Sequence, residues 1–356
     1  MIVVVKVGTS SITDDDGAID RAAVEQLCAQ IVAARADGHE VVLVSSGAIA
    51  AGLPALGLSA RRRPKDAITL QAISAVGQAR LMQVYREVLD DLDGDTVPGQ
   101  VLLAPTDFVS RQQYLHARST LGKLLELGAL PIVNENDAVA DDEIRYGDND
   151  RIAALVAQLV GAELLVLLTD AEGVFTADPR LDATASLIEE IVEVDHDHEA
   201  AAGGSGSNRG SGGMATKIAA AKIAAWSGVR TVIASAGRER VLADAIDGRS
   251  GVGTVVLPRD QRLSARKVWI AFAVGSSGAL CVDDGARRAL EQGGGSLLAA
   301  GVTEVEGGFD EGDAVEICGS DGRPFAKGRV RYDAATLRSG SVGGVVVHRD
   351  DLVVLP

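Results

Sequence analysis

The sequence predicts an α/β protein: a mostly parallel open sheet with helices on both faces, followed by a small, mostly β C-terminal unit. Three observations carry this. Strand-like and helix-like patterns alternate through residue 257, and the strands are short continuous Val, Ile and Leu runs, as in a sheet covered on both sides. Beyond Pro258 the helical patterns thin out among Gly-rich turns. At 356 residues the chain has room for two domains.

In chain order, Ile2–Val7 reads as a buried strand, and Asp20 caps a helix whose apolar residues Val24, Leu27, Cys28, Ile31 and Val32 share one face up to Gly38. Residues 41–45 form the next strand. Gly47 opens a second helix, and a longer one runs over about 66–92. Further strands fit 97–103, 130–133, 163–169, 230–234 and 254–257, with helical patterns such as Asn149–Val160 between them. Two stretches break the rhythm. Residues 201–213, AAGGSGSNRGSGG, are too long for an ordinary connection, so this loop is functional or disordered. Residues 259–277 read as a linker before short strand-like segments at 279–282, Ala314–Cys318 and 345–347. The expected division is therefore 1–258, a linker over 259–277, and 278–356.

Composition removes several function classes. Hydrophobic residues at 47% and charged ones at 24% fit a folded chain. The longest apolar stretch, 154–168, is interrupted by Gln158, Gly161 and Glu163, so no membrane span is expected. The apolar start, 1–7, is too short for a signal peptide, which gives a cytoplasmic expectation. Cys28, Cys281 and Cys318 form no CxxC pair, which argues against a disulfide framework or a zinc knuckle. A net charge of −16 repels nucleic acid, so an anionic substrate must be held by local cations, helix N-termini or a metal.

No GxxxxGK[ST], strand-GxGxxG-helix or GxSxG motif is present, which leaves polar residues at strand ends as the chemistry-bearing groups. Lys6 interrupts a β-branched run. It must either meet a buried anion or sit on an edge strand and reach water. Ser45, Ser46, Gly47 and Ala48 form a strand-to-helix turn that is either an anion-binding N-terminus or a plain capped turn. NENDAV puts Asn134, Glu135, Asn136 and Asp137 just after the strand LPIV, and Gly147, Asp148, Asn149 and Asp150 start the next helix. Taken singly these are ordinary solvated turns; together they suggest recognition of an amino group and organisation of cations. Asp170 and the turn GVFTADP follow the strand ELLVLLT. The glycine loop leads through Ser211, Gly212 and Gly213 into a helix carrying Lys217, which is a plausible phosphate cradle or else a linker and surface helix.

VVKVGTSSIT, VSSGAIAAG, VGQARLM, PIVNENDAVA, YGDNDRIAALVA, LLTDAEGVFTADPR and SGGMATK, in this order, closely resemble the glutamate 5-kinase family of the amino acid kinase superfamily, over residues 1–258. VDDGARRAL, SLLAAGV, GGFDEGDAVEI and VVHRDDLV resemble a PUA domain, with only RSGSVGG between Leu337 and Val345, where the family carries a longer segment. The resemblance implies the amino acid kinase fold and ATP-dependent phosphorylation of the γ-carboxylate of L-glutamate to L-γ-glutamyl phosphate, the first step of proline biosynthesis, with Mg²⁺.

By the same resemblance Ser46, Gly47, Asn134, Asp137 and Asn149 bind glutamate, Asp137 pairing with its α-ammonium. Lys6, Thr169, Asp170, Ser211, Gly212, Gly213, Met214, Ala215, Thr216 and Lys217 bind ATP. Phosphoryl transfer is catalysed chiefly by positioning and charge neutralisation, which falls to Lys6 and Lys217, oriented by Asp150. Asp148 and Asp150 would hold Mg²⁺ directly or through water. The resemblance also implies L-proline as feedback inhibitor and a homo-oligomer, dimer or tetramer. The rival within the superfamily phosphorylates acetylglutamate, aspartate, carbamate or a nucleotide. The rival from another class, RNA binding by the C-terminal part, meets 8 Lys/Arg against 13 Asp/Glu in residues 278–356, so no nucleic-acid partner is expected.

Overall fold

A computed structural model describes residues 1–139, 149–195, 198, 213–260 and 262–355. The chain forms two compact units, Met1–Arg262 and Leu263–Pro356.

In the first unit, β1 (Ile2–Val7), α1 (Arg21–Ala36), β2 (Glu40–Ser45), α2 (Ala48–Ala55), α3 (Ala67–Leu92), β3 (Pro98–Leu103), α4 (Pro105–Val109), α5 (Arg111–Glu126) and β4 (Leu130–Glu135) come first. They are followed by α6 (Asn149–Val160), β5 (Leu164–Thr169), β6 (Glu190–Ile191), α7 (Met214–Trp226), β7 (Arg230–Ser235), α8 (Val241–Asp247) and β8 (Thr254–Val256). Among the described residues the strands form one eight-stranded sheet in the order β3-β4-β2-β1-β5-β7-β8-β6. The run from β3 to β7 is parallel throughout. β8 lies antiparallel to β7 and parallel to β6. As predicted, then, the sheet is mostly parallel. Ligands of such sheets bind at the carboxyl ends of the strands.

Strand periodicity decides which way each β1 side chain points. Val3, Val5 and Val7 join the cluster made by Val24, Leu27 and Ile31 of α1, Leu81 and Tyr85 of α3, and Val241 and Leu242 of α8. Val4 and Lys6 therefore point to the other face. The Asp20 cap forms as the sequence suggests, accepting from the Ala22 and Ala23 N–H groups, and Asp66 likewise caps α3 by accepting from that of Thr69. Gly47, at φ +107°, turns the chain from β2 into α2, where a Cβ would lie 2.8 Å from Ile12 Cδ1. α2 and α3 then meet backbone to backbone. A Cβ on Gly77 would fall 1.8 Å from the Ala48 carbonyl oxygen, and one on Gly52 2.2 Å from that of Ile73.

Two sequence expectations shift. β4 extends to Glu135 because Asn134 and Glu135 pair with Leu102 and Leu103 of β3, so both residues end a strand rather than follow it. The stretch 259–277 contains α9 (Ala265–Val268) and a π-type turn (Trp269–Ala273), with Val268 and Ile270 fully buried.

The second unit continues with β9 (Gly278–Val282), α10 (Asp284–Gly293), β10 (Leu297–Leu298), β11 (Val302–Gly307), β12 (Ala314–Cys318), β13 (Pro324–Val330), α11 (Ala334–Arg338) and β14 (Val345–Val354). Its strands form a mixed six-stranded sheet among the described residues, in the order β10-β14-β13-β12-β9-β11. Leu280, Leu290, Val315, Ile317, Phe325, Val346 and Leu352 pack its core. No helix among the described residues is long and apolar enough to cross a membrane.

Candidate active site

Lys6 lies in the middle of the sheet, flanked by β2 at Val44 and β5 at Leu167, and is only 4% exposed. This is not an edge lysine reaching for water. Its Nζ is 2.7 Å from Asp150 Oδ1. Lys217 Nζ donates to Asp150 Oδ2 at 3.3 Å, and Thr216 Oγ donates to the same oxygen at 2.6 Å. Three elements thus converge on one buried carboxylate: the central strand, the first turn of α6 and the first turn of α7. Burial alone would raise the Asp150 pKa, but the Lys6 and Lys217 charges hold it below the ordinary carboxylate range. Two ammonium groups on one carboxylate are suited to meeting further negative charge.

The Lys217 helix adds donors of its own. α7 starts after Gly213 with no side-chain cap, and the first-turn N–H groups of any helix have no partner within it. Met214 and Ala215 lie in that turn. Thr169 ends β5, next to β1, and its hydroxyl donates to Asp170 Oδ1 at 3.1 Å. Ser211, Gly212 and Asp148 lie outside the described residues.

The residue before Asp150 belongs to a second network. Asn149 Nδ2 donates to Ser46 Oγ and to Asn134 Oδ1, each at 2.9 Å, while its own Oδ1 accepts from the Glu135 N–H at 3.3 Å. Asn134 Nδ2 donates to Gln78 Oε1 at 2.8 Å. One turn before Gln78 on α3, Ser74 Oγ donates to Asp137 Oδ2 at 2.5 Å. Burial pushes the Asp137 carboxyl above the usual range, with the Ser74 bond and the Arg63 charge pulling the other way. Consecutive residues of α6 therefore join two half-sites: Asn149 faces the amides, and Asp150 the lysines.

Sequence reasoning missed Ser74 and Gln78. Their signal needs the burial of α3: Ile73, Ser74, Gly77, Gln78, Leu81 and Tyr85 make one buried helical stripe, and its polar members need partners. Tyr85 answers the same need through Ser45, 2.7 Å away. Asp150 is a poor direct ligand for Mg²⁺, since lysine ammonium groups and a threonine hydroxyl stand at its oxygens. Among the described residues no cluster of metal-ligating side chains occurs at this site.

Residues 1–235 match the amino acid kinase family, and residues 278–350 the PUA domain. A glutamate 5-kinase from Pelobacter propionicus is 45% identical, over 99% of this chain and 97% of its own length. Another from Burkholderia multivorans is 46% identical with the same coverage. Among solved structures, carbamate kinase from Giardia lamblia bound to AMP-PNP shares the fold, with a TM-score of 0.53 and 19% identity over 72% of this chain and 98% of that one. With the kinase match over most of its length and glutamate 5-kinases as end-to-end relatives, the chain belongs to the amino acid kinase family.

Proposed function

We propose that the protein transfers the γ-phosphoryl group of ATP to the γ-carboxylate of L-glutamate, giving ADP and L-γ-glutamyl phosphate, the first step of proline biosynthesis. The end-to-end likeness to glutamate 5-kinases carries this reading, and the joined half-sites support it. A γ-carboxylate oxygen attacks the γ-phosphorus as the bond to the ADP oxygen breaks. That carboxylate is already ionised at neutral pH, so no general base is required.

Lys6 and Lys217 neutralise the transferring phosphoryl group, and Asp150 positions both ammonium groups. Gly213, Met214, Ala215 and Thr216, with Ser211, Gly212, Thr169 and Asp170, hold ATP. Ser46, Gly47, Asn134 and Asn149 hold glutamate, and Asp137 takes its α-ammonium. Mg²⁺ bound with ATP would supply further charge neutralisation at the phosphates, and Asp150, whose oxygens meet Lys6, Lys217 and Thr216, does not fit as its direct ligand. We also place the enzyme in the cytoplasm as a homo-oligomer inhibited by L-proline, whose ring resembles a cyclised glutamate and would overlap Asp137 and Asn149.

An acceptor panel followed by ADP release tests this reading. L-Glutamate should be the preferred acceptor, and N-acetylglutamate, which lacks the ammonium for Asp137, a poor one. Equal rates with both would overturn the assignment of Asp137. Preference for aspartate, carbamate or a nucleotide would replace the substrate.

A further inference from the structure

Gln78 lies on the buried stripe of α3 and is 6% exposed. Its amide orientation is fixed by bonds that cannot be reversed. The Glu135 N–H can only donate, and it reaches Asn134 Oδ1 at 2.9 Å, so that atom is the oxygen of the Asn134 amide. Asn134 Nδ2 consequently faces Gln78, which meets it with Oε1. What remains is Gln78 Nε2, buried and with no hydrogen-bond partner among the described residues. Such a donor is costly to leave unmade, and nearly all buried polar groups in folded proteins are paired.

The order of groups along the site gives the chemistry of the missing partner. From the lysines the polar chain runs through Asp150, Asn149 and Asn134 to Gln78, with Ser74 one helical turn before Gln78 on α3 and Asp137, just after β4, held by Ser74. An extended amino dicarboxylate with its reacting γ-carboxylate at the lysine end brings its α-carbon to the other end. There Asp137 meets the ammonium, which leaves the α-carboxylate for a neutral N–H donor. We infer that Gln78 determines specificity for the substrate's α-carboxylate, donating to it through Nε2. This rests on the proposed reading of the site as one for glutamate.

The test compares equilibrium binding of L-glutamate and L-glutamate α-amide, by calorimetry, to the full chain and to Gln78→Glu. That variant keeps an oxygen for Asn134 and replaces only the donor. Glutamate affinity should fall by about tenfold or more while α-amide affinity stays within about twofold, so that the preference for the free carboxylate collapses. Gln78→Leu, which removes donor and acceptor together, should lose the same preference. An unchanged preference in both variants, or equal losses for both ligands, would overturn the inference. Because binding needs no turnover, a chain that binds glutamate through Gln78 yet fails to phosphorylate it would contradict the proposed function alone. Failure of the wild-type chain to bind glutamate would overturn both.

Discussion

Lys6 Nζ sits 2.7 Å from Asp150 Oδ1, and this buried pair ties the central strand of the sheet to the first turn of α6. Lys217 approaches the other oxygen from α7. The carboxylate is the shared element, so its loss and the loss of either lysine have different signatures.

Lys6→Ala or Lys217→Ala should lower kcat by about 10² to 10³, the loss typical of one transition-state donor, with a smaller change in KM for glutamate. Asp150→Ala instead deprives both lysines of their common counter-ion and should cost about 3–5 kcal/mol of stability as well as activity. Steady-state kinetics and denaturant titration separate the two outcomes. A lysine variant with full kcat would reassign that lysine to structure.

Asp137 gives a pH signature. Its carboxyl titrates above the ordinary Asp range because burial outweighs the Ser74 bond, and only the ionised form pairs with an ammonium. On acidification kcat/KM for glutamate should therefore fall as this group takes up its proton. Ser74→Ala removes an interaction that favours the anion, so the fall should move to higher pH. The substrate's own carboxylates titrate identically in both proteins, which makes the displacement the readout. Superimposable profiles would exclude the Ser74–Asp137 link from substrate binding.

The α2–α3 junction should be the least tolerant place in the first unit. Gly77→Ala puts a methyl group inside the contact distance of the Ala48 carbonyl and forces the two helices apart. Thermal denaturation should show a marked loss of stability. KM for glutamate should rise in whatever fraction stays folded, because α2 follows Ser46 and α3 carries Ser74 and Gln78. A melting temperature equal to wild type would contradict the packing described.

How much of this was legible in sequence depends on how far each signal stood from its background. Lys6 is visible because a lysine interrupts an otherwise continuous β-branched run, and Asp20 because a cap precedes an apolar periodicity. Asn134 and Glu135 read as a strand-end turn in the sequence because only the pairing of β4 with β3 extends the strand through them. Ser74 and Gln78 were hidden in a 26-residue helix, where a serine or glutamine is unremarkable until the stripe it occupies is known to be buried. Residues 259–277 read as a linker because their helix is only four residues long, although it buries Val268 and pairs Arg266 with Asp351.

That last contact moves the boundary for a truncation. A chain ending at Arg262 removes the second unit whole, whereas one ending at Ser277 would strand α9 without β14. We predict that residues 1–262 fold and retain glutamate-dependent phosphoryl transfer, since every residue given a chemical role lies between Lys6 and Lys217. A folded but inactive 1–262 chain would show that the second unit completes the site.

The product expected of this chain is an acyl phosphate at the γ-carboxylate of glutamate. Hydroxylamine trapping measures this directly: the purified chain, ATP, Mg²⁺ and L-glutamate should yield γ-glutamyl hydroxamate in step with ADP, identified by mass spectrometry against the α-isomer. ADP release with no hydroxamate, or hydroxamate at the α-carboxylate, would contradict phosphorylation at the γ-carboxylate.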